Sequence, residues 1–416
     1  MNPTGLEQAC RERAVLVLVG AGGVGKTTVA AALALAAARR GRRVLVCTID
    51  PARRLANALG LDAFGSEEVP IEAETLAAAG IALPPGGSLS AMMLDTKRTF
   101  DRLIERHAPD PQTRERILAN PIYQRVSSQL AGSQEYMAME KLYELHQSGR
   151  FDLVVLDTPP TRHALDFLQA PERLARFFDT SVVRWFAAPF RRDGSGRRGI
   201  AGRIAERVLA GLGGLFGGEL LQALAEFLAA LETLWGGFRE RARHVRALLG
   251  QHRTAAFIVV SSPARHAIAE AYYFYRELRA HRMPVAGFVA NRVRSGFGEQ
   301  LPELERLAEQ EQRRVLGAEL AAALAPFGIE RRLAEDAVTA LGVFRALASA
   351  DRRNLAPLRA EAEAERLAYR ELRARATDIH SLAGLAALEP ELVGPAAPPP
   401  RASARPVEAG QRRGGG

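Results

Sequence analysis

The sequence predicts an α/β fold with a doubly wound, mostly parallel sheet and helical subdomain insertions. Three observations lead to this prediction. Short apolar runs alternate with longer helical stretches, a glycine-rich turn joins the first apolar run to a helix, and two helical intervals are too long for simple crossovers. The apolar runs are typical of strands covered on both faces. The predicted strands are Ala14–Val19, Arg43–Thr48, Ser90–Leu94, Asp152–Leu156, Ala256–Ser261 and Val285–Ala290.

The composition is globular, and several classes of protein are excluded by it. The chain has 416 residues, 47% of them hydrophobic and 25% charged. Its net charge of +9, in which only three of 56 basic residues are lysines, would by itself favour a nucleic-acid or membrane-surface partner. Two cysteines exclude a disulfide scaffold and a thiol-rich metal site. We expect a cytoplasmic protein, because charges occupy the first residues and no apolar run approaches the roughly 20 residues of a membrane span.

The strongest motif is the turn Gly20–Thr28, with the sequence GAGGVGKTT. It satisfies the G-x-x-x-x-G-K-[ST] pattern of a phosphate loop, follows an apolar strand and opens the predicted helix Lys26–Arg40. The predicted sheet is therefore of the P-loop NTPase type. A chance glycine-rich turn is the alternative. The residues predicted to hold the nucleotide are Gly22, Gly23, Val24, Gly25, Lys26, Thr27 and Thr28.

Each part of this loop has a chemical purpose. The glycines let successive backbone N–H groups converge on phosphate oxygens, and the helix N-terminus adds a partial positive charge. Lys26 supplies a catalytic positive charge near the β and γ phosphates, and the Thr27 hydroxyl can ligate Mg²⁺.

Asp50 follows the predicted strand Arg43–Thr48 and begins the sequence DPARRL. It lies where ligands gather in open α/β sheets, at the carboxyl end of a strand. There it could orient or deprotonate the water that attacks a γ-phosphate. An N-cap is an equally good interpretation, because Asp before Pro is a favourable helix start.

Asp157 follows the predicted strand Asp152–Leu156 and begins the sequence DTPPTRH. A carboxylate after an apolar strand is typical of a Walker-B element, which holds Mg²⁺ directly or through water. The Pro-rich turn after it is suited to sensing the γ-phosphate. The alternative is a second helix cap.

Asn291 follows the predicted strand Val285–Ala290. Its amide can donate and accept at once, which matches the N6 and N7 edge of adenine. Asparagine after a strand is also an ordinary turn former, so both interpretations stay open.

These elements, in this order, resemble the family of the arsenite-pump ATPase (ArsA) and of the guided-entry ATPases that deliver tail-anchored membrane proteins. The resemblance covers about residues 14–348 and is closest to bacterial members with unassigned cargo. The matching residues are Gly20–Thr28, Thr48–Ala52, Asp157–His163, Ser262 and Pro263 with Glu270, and Asn291–Val293.

The resemblance implies a Mg²⁺-dependent ATPase that closes as a nucleotide-sandwiched dimer and opens after hydrolysis. It implies that Asp50 activates water, that Asp157 and Thr27 serve the Mg²⁺ site, and that Asn291 contacts adenine. The helical insertions would form a cargo surface rearranged by contacts to the γ-phosphate. The implied partners are a second copy or a related ATPase, and a protein or membrane-associated cargo.

On this interpretation the chain has three parts. Residues 1–350 form the ATPase domain, with helical insertions at about 95–150 and 171–250 that build a subdomain at one edge of the sheet. Residues 351–388 form a helical extension, mostly an exposed helix stabilised by i,i+4 ion pairs. Residues 389–416, rich in Pro, Ala and Gly, form a disordered tail.

Two departures from the family pattern limit what the resemblance implies. The family's phosphate loop has a lysine at its second position that reaches the partner's phosphates, and here that position is Ala21. Fast hydrolysis by a homodimer therefore needs another source of positive charge, a partner subunit or one of the arginines. The positions of Cys10 and Cys47 also disfavour arsenite handling and an interfacial zinc site.

The surplus basic charge is concentrated rather than spread over the fold. Residues 171–250 contain 13 arginines and 8 acidic residues, so this insertion carries +5. Its loop Arg191–Gly202 is either a solvated segment or a contact for anionic lipid or nucleic acid. We expect no nucleic-acid partner, although peripheral membrane contact is possible.

Two alternative functions compete with the leading one. The first is a positioning ATPase of the ParA/MinD type, which binds DNA or membrane with ATP, and which the long helical insertions disfavour. The second is a regulatory subunit that binds ATP but hydrolyses it weakly, which Ala21 favours and Asp50 disfavours.

Overall fold

The computed structural model describes residues 5–49, 54–60, 65–108, 110–126, 133–159, 237, 240–294, 310–328 and 330–394. Its centre is an eight-stranded sheet with the order β3-β4-β2-β5-β1-β6-β7-β8. All neighbouring strands are parallel except β3, which pairs antiparallel with β4. The strands are β1 (Val15–Gly20), β2 (Arg43–Thr48), β3 (Val69–Pro70), β4 (Ser88–Met93), β5 (Leu153–Asp157), β6 (Ala255–Ser261), β7 (Val285–Val293) and β8 (Ala368–Arg373).

The helices of the described residues connect these strands and cover both faces of the sheet. They are α1 (Gly5–Glu12), α2 (Lys26–Ala38), α3 (Arg54–Leu59), α4 (Ala73–Ala78), α5 (Thr96–His107), α6 (Pro111–Ala119), α7 (Pro121–Val126), α8 (Ser133–Ser148), α9 (240–250), α10 (Arg265–Ala280), α11 (Gln310–Leu324), α12 (Arg331–Ala364), α13 (Leu382–Ala386) and α14 (Glu389–Leu392). A 3₁₀ turn, Ala325–Phe327, lies between α11 and α12.

Alternate residues of each central strand face opposite cores. In β1, Val15, Val17 and Val19 belong to one hydrophobic cluster, whereas Leu16 and Leu18 belong to a second on the other face. This follows from the two-residue period of a strand. The doubly wound α/β fold and all six predicted strands are confirmed; Arg43–Thr48 has the predicted ends, and the ends of the other strands differ by at most three residues.

Helix α2 lies inside the second of these cores. Its sequence KTTVAAALALAAA is apolar on all sides after the first turn, and the residues from Val29 to Ala38 are all buried. A helix that is hydrophobic all round is buried on all sides. The small alanine side chains let this helix approach the sheet closely, which fixes the position of the loop that precedes it.

The first insertion is helical, as predicted, but it does not lie at an edge of the sheet. Side chains of α8, such as Met137 and Leu142, form one hydrophobic cluster with Cys47 of β2 and Leu156 of β5. The prediction of an edge subdomain is therefore wrong for this insertion. The physical reason is that α8 has buried apolar residues to place, and the face of β2 and β5 is where they are covered.

The expected helical extension at 351–388 is wrong for part of its length. Helix α12 ends at Ala364, and residues 368–373 form β8, which pairs parallel with β7. The stretch is not an exposed helix either, since Asp351, Leu355 and Leu358 are buried. Parallel pairing with β7 is a non-local contact that helix-like composition does not reveal.

The predicted disordered tail also begins too early. Residues 389–394 are described, and Glu389 and Leu392 of α14 are buried. Residues 395–416 lie outside the described residues, as do 160–236, which hold most of the second insertion and the loop Arg191–Gly202. Within the part of the chain that the structure describes, no helix is both long and apolar enough to cross a membrane.

Candidate functional site

The predicted phosphate loop lies between β1 and α2, with two glycines that the local packing requires. A Cβ at Gly20, where φ is +153°, would lie 2.1 Å from the carbonyl oxygen of Val260 in β6. A Cβ at Gly25, where φ is +90°, would lie 2.2 Å from Nδ2 of Asn291. The clash at Gly20 is with the backbone of β6 and cannot be relieved without moving that strand, whereas the clash at Gly25 would displace the Asn291 side chain from the loop.

The remaining loop residues differ in their exposure. Gly22 and Gly23 are exposed, whereas the Val24 side chain is buried in the core beside α2. Thr28 is half-buried in the first turn of α2. The open rim of the loop is thus backbone only, as a cradle for an anion requires.

Lys26 is buried, and its ammonium group lies on the loop itself. Its Nζ donates to the carbonyl oxygens of Gly20 and Ala21, each at 2.9 Å. The other two lysines have structural ion pairs elsewhere: Lys97 with Asp101 at 2.8 Å and Lys141 with Glu68 at 3.2 Å. Among the described lysines, Lys26 is the one in the loop.

Asp157 is the centre of a hydroxyl–carboxylate cluster beside the loop. Its Oδ2 accepts a hydrogen bond from Thr27 Oγ1 at 2.7 Å and another from Thr48 Oγ1 at 3.0 Å. Thr48 and Asp157 are register partners at the carboxyl ends of β2 and β5. The structure therefore brings the predicted Thr27 and Asp157 together, with the carboxylate almost completely buried.

Thr48 is a site residue that the functional reasoning did not single out. The available signal was a hydroxyl residue at the end of an otherwise apolar strand, but its pairing with Asp157 depends on strand order. The next residue, Thr158, is also buried, and its hydroxyl donates to the carbonyl oxygen of Leu18 in β1. The end of β5 is thus held against the start of the phosphate loop.

Asp50 lies outside the described residues, so its predicted catalytic role stays a prediction. The chain approaches it at the edge where Asp157 lies, since the backbone N–H of Ile49 donates to the Asp157 carbonyl oxygen at 3.0 Å. The sequence from 160 onward, including Thr161 and His163, is likewise outside the described residues.

Asn291 and Arg292 reach the other side of the loop from β7. The Asn291 Nδ2 donates to the Val24 carbonyl oxygen at 2.8 Å, and its Oδ1 accepts from the Arg292 backbone N–H at 2.9 Å. The Arg292 Nη1 donates to the Gly23 carbonyl oxygen at 3.3 Å. The structure therefore places Asn291 against the phosphate loop, together with Arg292, which is part of a matching sequence motif but was given no role from the sequence.

Helix α12 is joined to the ends of β6 and β7 at the same edge. The buried carboxylate of Asp351 accepts from the backbone N–H and the guanidinium of Arg294, each at 3.0 Å. Asn354 donates through Nδ2 to the Pro263 carbonyl oxygen at 3.1 Å. These contacts hold the carboxyl ends of the two strands, and with them Asn291, in a fixed position.

The two cysteines are buried on opposite faces of the sheet. Burial raises the pKa of the Cys10 thiol and of the Cys47 thiol to about 12. Cys10 packs with α2, and Cys47 packs with α8. Thiols with so high a pKa are protonated near neutral pH and react slowly.

The residues present fit a nucleotide polyphosphate with a hard divalent cation. Hydroxyl and carboxylate oxygens, here those of Thr27 and Asp157, are the ligands that Mg²⁺ uses beside phosphates. The backbone rim of the loop and the buried ammonium of Lys26 suit the phosphate oxygens. The arrangement can hold a polyphosphate at the start of α2 and place a carboxylate beside it.

The comparisons with known proteins agree with this chemistry. A family model described as Anion-transporting ATPase matches residues 13–210. ATPase get3 of Aspergillus terreus (strain NIH 2624 / FGSC A1156) is 26% identical over 277 residues, which cover 66% of this chain and 71% of that protein.

Two further relatives match over different lengths and at different identities. ATPase ARSA1 of Chlamydomonas reinhardtii is 26% identical over 317 residues, which cover 70% of this chain but only 37% of that protein. ATPase GET3 of Malassezia globosa (strain ATCC MYA-4612 / CBS 7966) is 33% identical over 157 residues, 38% of this chain and 42% of that protein.

Proposed function

We propose that the chain, whose residues 13–210 match the family model of the anion-transporting ATPases (ArsA), is a Mg²⁺-dependent ATPase. We propose further that it acts as a nucleotide-gated dimeric switch that couples ATP binding and hydrolysis to a protein or membrane-associated cargo. The observation that carries the proposal is the cluster in which Thr27 and Thr48 both donate to the buried carboxylate of Asp157, beside Lys26.

This cluster suits phosphoryl transfer for an electrostatic reason. The transition state spreads negative charge over the γ-phosphate and the leaving oxygen, so catalysis consists largely of positioning and charge stabilisation. Lys26 supplies a positive charge at the loop, and the backbone N–H groups of Gly22, Gly23 and Gly25 add fixed dipoles that need no reorganisation. The buried carboxylate of Asp157 is held in one orientation by two hydroxyl groups.

Thr27 and Asp157 are the residues that would hold Mg²⁺. A Mg²⁺ ion held there would supply positive charge against the phosphate oxygens. The protein's own contribution is to present these two oxygen groups together, since their atoms are 2.7 Å apart. Thr48 acts as a positioning residue, because it fixes the carboxylate that serves the ion.

Asp50 is proposed to orient and deprotonate the attacking water. The resemblance supports this role, and so does the position of the preceding residue, Ile49, beside Asp157. Asn291 is proposed to contact the adenine base. For this its amide would exchange the hydrogen bond to the Val24 carbonyl for contacts with the base.

The proposals of a dimer and of a cargo come from the family resemblance. Position 21 bears on the mechanism directly, because Ala21 is 1% exposed and packs into the core. The buried methyl group of Ala21 supplies no positive charge to a partner's phosphates. Either a heterodimeric partner with a loop lysine or another basic residue of this chain must supply that charge.

The test is a steady-state ATPase assay with Mg²⁺ on the full chain and on Lys26→Met and Asp157→Asn. We expect each substitution to lower kcat/KM by about 10²–10³-fold, the scale of losing one oriented charge in a reaction centre. Lys97→Met is the matched control, since Lys97 pairs with Asp101 on the surface. Retained turnover in both Lys26→Met and Asp157→Asn would falsify the proposal.

A second candidate is an ATP-binding subunit that hydrolyses ATP weakly, which the buried Ala21 favours. The same assay separates the two, when it is combined with a binding measurement. Tight ATP binding by wild type with turnover no faster than that of Asp157→Asn would establish the second candidate. Light scattering with ATP and with ADP then shows whether closure to a dimer depends on the triphosphate.

A further inference from the structure

We propose that the guanidinium of Arg292 is a second cationic contact for the polyphosphate of the bound nucleotide, alongside Lys26. This inference rests on the proposed nucleotide-binding function and adds a residue to it. It is based on the backbone of β7 at this residue, on the contacts of its side chain, and on the composition of the loop.

The backbone of Arg292 has a strained conformation that strand pairing between β7 and β8 does not by itself require. Its φ is +60°, which L residues rarely adopt. The other two such non-glycine residues of the described chain, Arg282 and Arg366, follow the ends of helices, where a left-handed residue is common. Arg292 instead lies within β7, at a shift in the β7–β8 register between Ala290 and Val293.

An irregularity of this kind turns a side chain toward a new direction. Here it turns two consecutive side chains to the phosphate loop: Asn291 to the Val24 carbonyl oxygen and Arg292 to the Gly23 carbonyl oxygen. Strain in a strand that delivers side chains to a ligand site is typical of functional positions.

The guanidinium of Arg292 is held weakly. Its contacts are the 3.3 Å hydrogen bond to Gly23 and an ion pair at 3.6 Å with Asp378, and both side chains of that pair are more than half exposed. Exposed pairs of this length contribute little. A phosphate oxygen is a much better acceptor than a neutral carbonyl, so an anion in the loop would compete successfully for this guanidinium.

Arg294, two residues further along, shows the contrast. Its guanidinium and backbone N–H both bind the buried carboxylate of Asp351. That arginine is committed to holding α12 on the sheet. Arg292 carries the same charge at the rim of the loop, without a comparable buried partner among the described residues.

The phosphate loop does not supply enough positive charge to neutralise a nucleoside triphosphate without a residue such as Arg292. A nucleoside triphosphate carries more negative charge than Lys26 and one divalent cation neutralise, and position 21 contributes only a buried methyl group. A Cβ at Gly23 would meet nothing within 4 Å. There is therefore room for the guanidinium to move along the rim of the loop.

The test is calorimetric titration of the full chain with ATP, ADP and AMP, the first two in the presence of Mg²⁺. The main variant is Arg292→Gly, because glycine adopts positive φ without strain and so separates folding from binding. We expect its Kd for ATP to rise about tenfold, the effect of losing one charge-assisted hydrogen bond. We expect its Kd for AMP to be unchanged and its Tm without nucleotide to be equal or higher.

Two further variants complete the experiment. Arg292→Lys retains the charge and should recover part of the lost ATP affinity. Arg375→Ala removes an arginine that pairs with Glu391 away from the loop, and it should bind all three nucleotides as wild type does.

The possible outcomes are distinct. Wild-type ATP affinity in Arg292→Gly, or an equal loss for ATP and AMP, overturns the role of Arg292 while leaving the ATPase proposal intact. Failure of the wild-type chain to bind ATP at all overturns the proposed function, and this inference with it.

Discussion

The two ends of helix α2 show opposite arrangements. At its start, Gly25 provides no side-chain cap, and Lys26 and Thr27 lie beside a rim of exposed backbone. At its end, Arg39 and Arg40 both bind the carboxylate of Glu389 in α14, with a distance of 2.6 Å for Arg40. Glu389 is 1% exposed.

This difference separates the ligand end of the helix from its anchor. Basic side chains near a helix C-terminus are favoured by the helix dipole, and the guanidinium of Arg40 also donates to the Ala36 carbonyl oxygen. The N-terminus, with the opposite partial charge, is left for an anion. The anchor comes from a residue about 350 positions along the chain, so the C-terminal segment is part of the nucleotide-binding unit.

The largest stability effect is expected when the anchor is broken. Glu389→Gln removes one charge from a buried ion-pair network and leaves Arg40 buried without its counter-charge. We expect a loss of about 3 kcal/mol in the free energy of unfolding, measured by urea denaturation. Nucleotide affinity should change little, because the loop at the other end of α2 is untouched.

Asp152→Asn is the control for this experiment. Asp152 pairs with Arg43 at 2.6 Å, but the side chains are 37% and 48% exposed, so we expect a loss of about 1 kcal/mol or less. Equal effects of the two substitutions would show that Glu389 is no anchor. A large loss of nucleotide affinity in Glu389→Gln would show that the two ends of α2 are not independent.

A smaller effect is expected at the ligand end from Thr48→Val. The substitution keeps the shape of the side chain and removes one hydrogen bond to the Asp157 carboxylate. We expect kcat to fall about tenfold with little change in KM, because the carboxylate loses its orientation rather than its charge. Steady-state ATPase kinetics measure both constants.

Thr339→Val is the matched control for Thr48→Val. The Thr339 hydroxyl donates to the Glu335 carbonyl oxygen on the exposed side of α12, so its kinetics should be those of wild type. If Thr48→Val keeps the wild-type kcat, Thr48 has no positioning role and the site is smaller than we describe.

The smallest expected effect is on the pH dependence of stability. It arises at His146 on α8, away from both ends of α2, and serves as a reference for the other predictions. Burial, and then the neighbouring His244, lowers the pKa of His146 from its ordinary value of 6.5. Below about pH 6.5 the unfolded chain therefore binds a proton at His146 more readily than the folded chain does. The free energy of unfolding consequently falls as the pH drops below that value and does not change for this reason above it. We expect a loss of a few tenths of a kcal/mol at pH 5.5.

His146→Gln should remove that part of the pH dependence in thermal or urea unfolding. Because His146 lies on α8, on the face of the sheet away from α2, wild type and Glu389→Gln should lose the same amount. A pH-dependent loss confined to one of the two would mean that the anchor and α8 are coupled.

Much of the nucleotide end could be predicted from the sequence, because its signals are local. A phosphate loop is predicted by the spacing of Gly20, Gly25, Lys26 and Thr27 within one turn. Asp157 is predicted as the carboxylate of a Walker-B element because it follows a buried strand. A hydrogen bond joins Thr27 to Asp157, and their shared role in a Mg²⁺ site stays a prediction. Asp50 stays a prediction.

The contacts of Glu389 with the C-terminal end of α2 and of Arg292 with the phosphate loop could not be predicted, because both depend on the order of the strands. Leu388 and Leu392 flank Glu389 with apolar side chains, but the contact of its carboxylate with Arg39 and Arg40 joins residues about 350 positions apart. Arg292 belongs to a motif singled out in the sequence, but its position beside Gly23 depends on the register shift in β7.

The sequence alone therefore determined the α/β class and the phosphate-loop turn between the first strand and its helix, since those depend on backbone freedom and residue chemistry within a few positions. Only the tertiary structure decided that Thr48 orients Asp157, that Arg292 lies at the rim of the loop, and that Glu389 holds the far end of α2. The physical reason is that parallel strands bring distant residues together at one edge, and their order is set by packing on both faces of the sheet.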